Sequence, residues 1–212
     1  MHPSSAHVAF DPIPAMGRWH HARERIVRGS GVPATFLRPG GFMTNALDWL
    51  PTIREGGYVL DPVGPGRHAP VDPADIAAVA ALALTEDGHQ GREYVLTGGE
   101  LFTVAEQVRI LSETIGRDLE VRETATPAEA VRSRFPHGAP PALADALTEG
   151  FALMHADTAG FRTDTLERLL GRSGSGARGT PTRSGALKAA DARAFLSDPA
   201  GLACRTPLPD PA

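Results

Sequence analysis

The sequence predicts an α/β layer fold with parallel strand pairing, closed by a helical region and a disordered tail. Three observations predict it. Short apolar runs of strand type alternate with helices that carry capping residues at their starts. Beyond Pro127 every periodic segment is helical, and after Gly171 the composition turns to Ser, Gly, Arg, Thr and Pro. A chain of 212 residues, 42% of them hydrophobic, has material for one domain of ordinary size with a small appendage.

Residues 1–15, rich in Pro, Ser and His, read as loop. A helix is expected from Gly17 to Gly29, with Trp19, Ala22, Ile26 and Val27 near one face and Gly29 and Gly31 ending it. Val32 to Leu37 is a buried-strand run stopped by Arg38-Pro39-Gly40-Gly41. A second helix is expected over about Phe42 to Glu55, then a strand at Tyr58-Val59-Leu60. The sharpest helix start follows: Asp72 as cap, Pro73 at the first helical position, Asp75 three after the cap. Ile76 to Leu84 is so apolar that burial on all sides is predicted. Next come a strand over Arg92–Leu96 and a helix from Thr103 to Ile115 with Glu106 at the capping-box position and Gly116 at its end. A strand over Leu119–Arg122 follows. Thr126-Pro127-Ala128-Glu129 then opens a helix, and Pro140–His155 and Thr163–Leu170 are helical. Residues 1–171 are therefore read as one unit, and 172–212 as a low-complexity tail whose apolar content is too small to offset its ordering entropy.

Charge and composition narrow the chemistry. A formal net charge of −4 gives no basic footprint of the kind nucleic-acid-binding domains show, so no nucleic-acid partner is expected. No apolar run approaches the roughly 18 residues of a membrane span. One cysteine, Cys204, and an N-terminus without basic and apolar signal regions fit a reducing cytoplasm. Gly174-Ser175-Gly176-Ala177-Arg178-Gly179 has the formal dinucleotide-binding pattern, but a helix end precedes it and no strand is near. The pyrophosphate contact needs a strand before the glycines and a helix N-terminus after them, so the motif reads as linker. His20 and Glu24 share a helix face, yet a metal would need a third ligand; local hydrogen bonding is the simpler account, as it is for His68 and His89 in loops. Asp72 and Asp75 suggest a carboxylate pair, and capping explains them more economically.

The segment Trp19-His20, Glu24, and Ser30 through Asn45 (Ser-Gly-Val-Pro-Ala-Thr-Phe-Leu-Arg-Pro-Gly-Gly-Phe-Met-Thr-Asn) resembles the NmrA-like family, an atypical branch of the short-chain dehydrogenases/reductases. Val71-Asp72-Pro73-Ala74-Asp75-Ile76-Ala77 and Tyr94-Val95-Leu96-Thr97-Gly98-Gly99-Glu100 extend the likeness, and Ser4-Ser5 looks like the end of the strand that carries a Ser-Ser pair in relatives. The resemblance covers about residues 4–171 and implies the C-terminal part of an NAD(P)-binding fold: an incomplete Rossmann-like parallel sheet with a small, mostly helical substrate-binding region. It implies an NAD(P)H-linked oxidoreductase of a small molecule such as a quinone. The alternative is a non-catalytic cofactor-sensing or regulatory binding protein, and a gene fragment is a third. Two departures stand out. The first strand–glycine turn–helix of relatives has no counterpart here, so weak or absent NAD(P)H binding by this chain alone is expected. The Tyr-x-x-x-Lys pair of typical members is also impossible, because Lys188, in the tail, is the only lysine. The family's pocket loop maps onto Pro39, Gly40, Phe42 and Asn45 as cofactor-contacting residues. Their other reading is a tight strand-to-helix turn with Phe42 in the core. An unpaired sheet edge is expected to favour self-association or a partner chain.

Overall fold

The computed structural model describes residues 1–124, 126–135, 137–158 and 160–174. Strands β1 (His2–Pro3), β2 (Phe36–Pro39) and β4 (Glu93–Leu96) form a parallel sheet in the order β1-β2-β4. Two further strands, β3 (Tyr58–Asp61) and β5 (Glu120–Glu123), pair in parallel as a separate sheet. Helix α1 (Ala15–Gly29) crosses from β1 to β2, α3 (Pro73–Thr85) leads to β4, and α4 (Val104–Ile115) leads to β5. Such crossovers are what parallel pairing requires. The remaining helices are α2 (Leu50–Gly56), α5 (Pro127–Arg134), α6 (Pro141–His155) and α7 (Thr165–Leu170). The fold is thus α/β and Rossmann-like, with a helical end. Residues 175–212, where all of the linker motif except Gly174 and almost all of the expected tail fall, lie outside the described residues.

One core cluster joins the larger sheet to α3 and α7 through Leu37, Leu96, Val71, Val79 and Leu166. A second joins β3 to α2 and α4 through Val59, Val63, Ile53, Val104 and Val108. Local chemistry sets the helix ends where the sequence places them. Thr103 Oγ1 accepts from Glu106 N at 3.1 Å while Glu106 Oε2 accepts from Thr103 N at 2.9 Å, and Gly116 closes α4 with φ 68°. Asp72 Oδ1 accepts from Ala74 N at 2.8 Å ahead of Pro73. Replacing that oxygen acceptor leaves a helix N–H without its partner. Asp72→Ala is therefore expected to lower stability by about 1 kcal/mol, and denaturant melts unchanged within about 0.3 kcal/mol would reopen a chemical role for the carboxylate.

Five expectations need correction. Residues 1–15, read as loop, hold strand β1 and a 3-10 turn over Ala6–Ala9. The strand predicted from Val32 begins only at Phe36, because Pro33 has no N–H for a ladder and Val32 remains 66% exposed. The second helix starts as a 3-10 segment, Met43–Trp49, and becomes α-helical only at Leu50. Its first amide is already engaged, Met43 N donating to Val71 O at 3.0 Å, and Asn45 N takes the short bond to Phe42 O. Helix α3 is not enclosed: Asp75 and Val79 are buried, but Leu84 is 65% exposed, since only one face meets β2 and α7. Helix α1 turns its expected apolar face outward, with Ile26 74% exposed, and buries Glu24 instead. At the far end, Arg172, the first residue of the expected tail, holds buried Asp75 at 2.6 Å.

Candidate active-site cleft

The carboxyl end of β2 supports a cleft of about 300 Å³. There the chain is fixed by backbone pairing on both sides. Gly40 N donates to Leu96 O at 2.9 Å, Val71 N donates to Gly41 O at 2.9 Å, and Phe42 bridges Val71 in parallel. The clamped turn presents Gly40, Phe42 and Asn45 on the cleft wall. Phe42 is 41% exposed, so it faces the cleft and is not a core residue. Pro39 is different: it is buried in β2 opposite Leu96, behind the wall. The opposite wall comes from the helical end, with Phe151 and Met154 on α6, and from Phe10 and Phe161, whose rings meet edge-on at 5.5 Å. Trp49 completes an aromatic lining of the sort that binds flat apolar molecules.

An ion-pair network centred on buried Glu24 ties together the elements of the larger sheet. Glu24, 1% exposed, receives Ser4 Oγ at 2.6 Å, Arg38 Nε at 2.8 Å and Arg38 Nη2 at 2.6 Å. Arg38 and Arg28 both continue to Glu93 on β4. The network therefore joins the residue after β1, helix α1, β2 and β4. Burial pushes the Glu24 pKa up, but the bonds from Arg38 and Ser4 outweigh it and hold the carboxyl at about 2. Sequence spacing had paired Glu24 with His20; the structure pairs it with Arg38, fourteen residues away in the chain. Among the described residues, no cluster of His, Cys, Asp and Glu could hold a metal ion.

Two histidines of the wall were not identifiable from sequence as site residues. His68 is fixed by reciprocal backbone bonds with Phe102, its Nε2 lies 3.1 Å from Gln107 Nε2, and burial lowers its pKa to about 4. It is uncharged near neutrality. His7 follows the 3-10 cap Ser5, and its Nδ1 is 2.9 Å from Ser5 Oγ. The only signal for either was a histidine in an apolar neighbourhood, and that neighbourhood is assembled from distant segments. Asp48 and Arg134 pair across the cleft at 2.8 Å, where burial raises the Asp48 pKa and Arg134 opposes the rise.

Fold and cleft together define a Rossmann-like α/β protein with a cleft at the carboxyl ends of parallel strands. No family model matches the chain. A (4-alkanoyl-5-oxo-2,5-dihydrofuran-3-yl)methyl phosphate reductase of Streptomyces griseus is 39% identical over 155 residues, 73% of this chain and 54% of that protein. An NAD(P)H azoreductase of Xenophilus azovorans is 39% identical over 158 residues, 74% of this chain and 54% of the relative. An NmrA-like family domain-containing oxidoreductase of Aspergillus flavus is 30% identical over 108 residues, 50% of this chain and 34% of its own length. The solved structure of an NADPH-dependent quinone oxidoreductase of Escherichia coli, complexed with NADPH, superimposes with a TM-score of 0.69 at 27% identity. It covers 82% of this chain and 61% of that one. The chain is thus similar to NmrA-like oxidoreductases and to NAD(P)H-linked reductases. It spans about half the length of the curated relatives it matches.

Proposed function

We propose that the cleft is the acceptor-binding end of an NAD(P)H-linked reductase of small, flat molecules such as quinones. One observation carries this reading: an aromatic, largely apolar cleft opens where the backbone-clamped turn Gly40–Asn45 leaves β2. Ligands of open α/β sheets bind at such strand ends. The names of the relatives support the class, since they include an NAD(P)H azoreductase and a quinone oxidoreductase. The cleft's volume is at the low end of the roughly 300–1,000 Å³ of small-molecule sites, which suits the reacting end of a dinucleotide and not its whole length. Gly40, Phe42 and Asn45 would face the nicotinamide, with Pro39 holding the turn from behind. The cofactor, when bound, supplies the hydride; the chain's residues orient the acceptor and exclude water. We further propose that β1, which pairs on one side with β2, takes a partner strand along its other edge, and that the chain works in the cytosol. Among the described residues, no helix is long and apolar enough to cross a membrane.

Trp49 offers a direct test, because it lines the cleft and the sequence's other tryptophan, Trp19, can be replaced by Phe. In that background, 1,4-naphthoquinone-2-sulfonate is expected to quench Trp49 saturably and to be reduced when NADPH is supplied at high concentration. Absence of saturable quenching would overturn the reading. Saturable quenching without NADPH oxidation would favour a sensing or regulatory protein.

A further inference from the structure

We propose that His7 is the hydrogen-bond donor that fixes the carbonyl oxygen of a flat aromatic ligand in the cleft; this rests on the cleft being an acceptor site. Ser5 caps the 3-10 turn Ala6–Ala9, its Oγ accepting His7 N at 3.3 Å. Among the described residues, the hydroxyl proton of Ser5 has one acceptor within reach, His7 Nδ1 at 2.9 Å. A hydroxyl that is 9% exposed gives up its hydration and needs that acceptor. The imidazole proton is thereby placed on Nε2, at the far side of the ring from the Ser5 contact, where no side-chain hydrogen bond from a described residue engages it. The ring lines the cleft beside Phe10, with centroids 5.4 Å apart.

The ring's position is fixed from behind. A Cβ on Gly17 would come within 2.5 Å of His7 O, so α1 presses directly on the backbone that carries the ring. Burial lowers the His7 pKa, His20 lowers it further and Glu149 opposes them, which keeps the imidazole uncharged near neutrality. A neutral N–H among aromatic faces suits a neutral carbonyl or quinone oxygen. His68, the other histidine of the wall, cannot serve in the same way: Gln107 occupies its Nε2, and its Nδ1 is sealed from solvent.

Long-range proton–nitrogen NMR of histidine-labelled protein reads the tautomer without any substitution. His7 is expected as the Nε2–H form, and its Nε2 signal is expected to move on titration with 1,4-naphthoquinone-2-sulfonate. His7→Phe keeps a ring of similar size and is expected to weaken the quinone about 10-fold. Ser5→Ala is expected to mix the tautomers and weaken binding severalfold. An Nδ1–H form in the unaltered protein, a dissociation constant within twofold in His7→Phe, or no quinone binding at all would each overturn the proposal. Quinone bound through His7 without NADPH oxidation would sink the reductase reading and sustain this one.

Discussion

Glu24→Gln is expected to lower the unfolding free energy by about 3–5 kcal/mol, the cost of leaving one partner of a buried pair uncompensated. The Arg38 side chain has two of its bonds on this carboxylate and is itself half-buried between α1, β2 and β4. Glutamine keeps the shape but cannot balance the guanidinium. The pair as such is a weaker source of stability than this number suggests, because both charges were desolvated to form it. The double variant Glu24→Leu/Arg38→Met is therefore expected to cost less than Glu24→Gln alone. Urea melts decide the matter: a loss under about 1 kcal/mol for Glu24→Gln would show that the network is not closed in solution. The same group sets an acid limit. The folded pKa of about 2 lies below the ordinary 4.5, so the contribution is complete above pH 4.5. It is lost as pH falls from there toward 2, with a slope approaching 1.4 kcal/mol per pH unit for one proton. In Glu24→Gln that part of the acid dependence should vanish.

Gly66→Ala is expected to cost about 3 kcal/mol and to damage the cleft at the same time. A Cβ at this buried glycine would come within 1.9 Å of Met154 O and 2.6 Å of Met154 C, and a helix backbone cannot yield as a flexible side chain would. Helix α6 must move away from the loop after β3, carrying with it Met154 and Phe151 of the cleft wall. Quinone quenching of Trp49 should weaken by more than 10-fold together with the loss of stability. Unaltered binding with a loss under about 1 kcal/mol would mean that the loop and α6 are not so closely apposed. Gly150, on the same helix, gives the contrast. An added methyl there meets no atom within 4 Å, so Gly150→Ala should stabilise by about 0.5–1 kcal/mol through helix propensity.

Much of the architecture was legible because it is local. Thr103, Glu106 and Gly116 define α4 through bonds spanning a few residues, and Asp72-Pro73 starts α3 in the same way. The candidate turn Gly40–Asn45 was legible too, as a pattern that resembles a family; its placement on the cleft follows from two parallel neighbours, Leu96 and Val71. Pro39 carried the same pattern and lies behind the wall, because a motif does not say which of its residues faces outward.

Sequence by itself determined the alternation of strands and helices, the caps, the single lysine that excludes a Tyr-x-x-x-Lys pair, and the family pattern of Ser30 to Asn45. Tertiary structure alone decided the rest. Periodicity placed Trp19 and Ile26 on the inner face of α1, but the guanidinium of Arg38 draws Glu24 inward and turns that face out. An apolar stripe records what a helix can bury, and a charge goes inside only when a partner from another element meets it. His7 and His68 looked like loop residues for the same reason: burial that neutralises a histidine comes from segments as distant as Phe161 and Gln107, which local sequence does not contain.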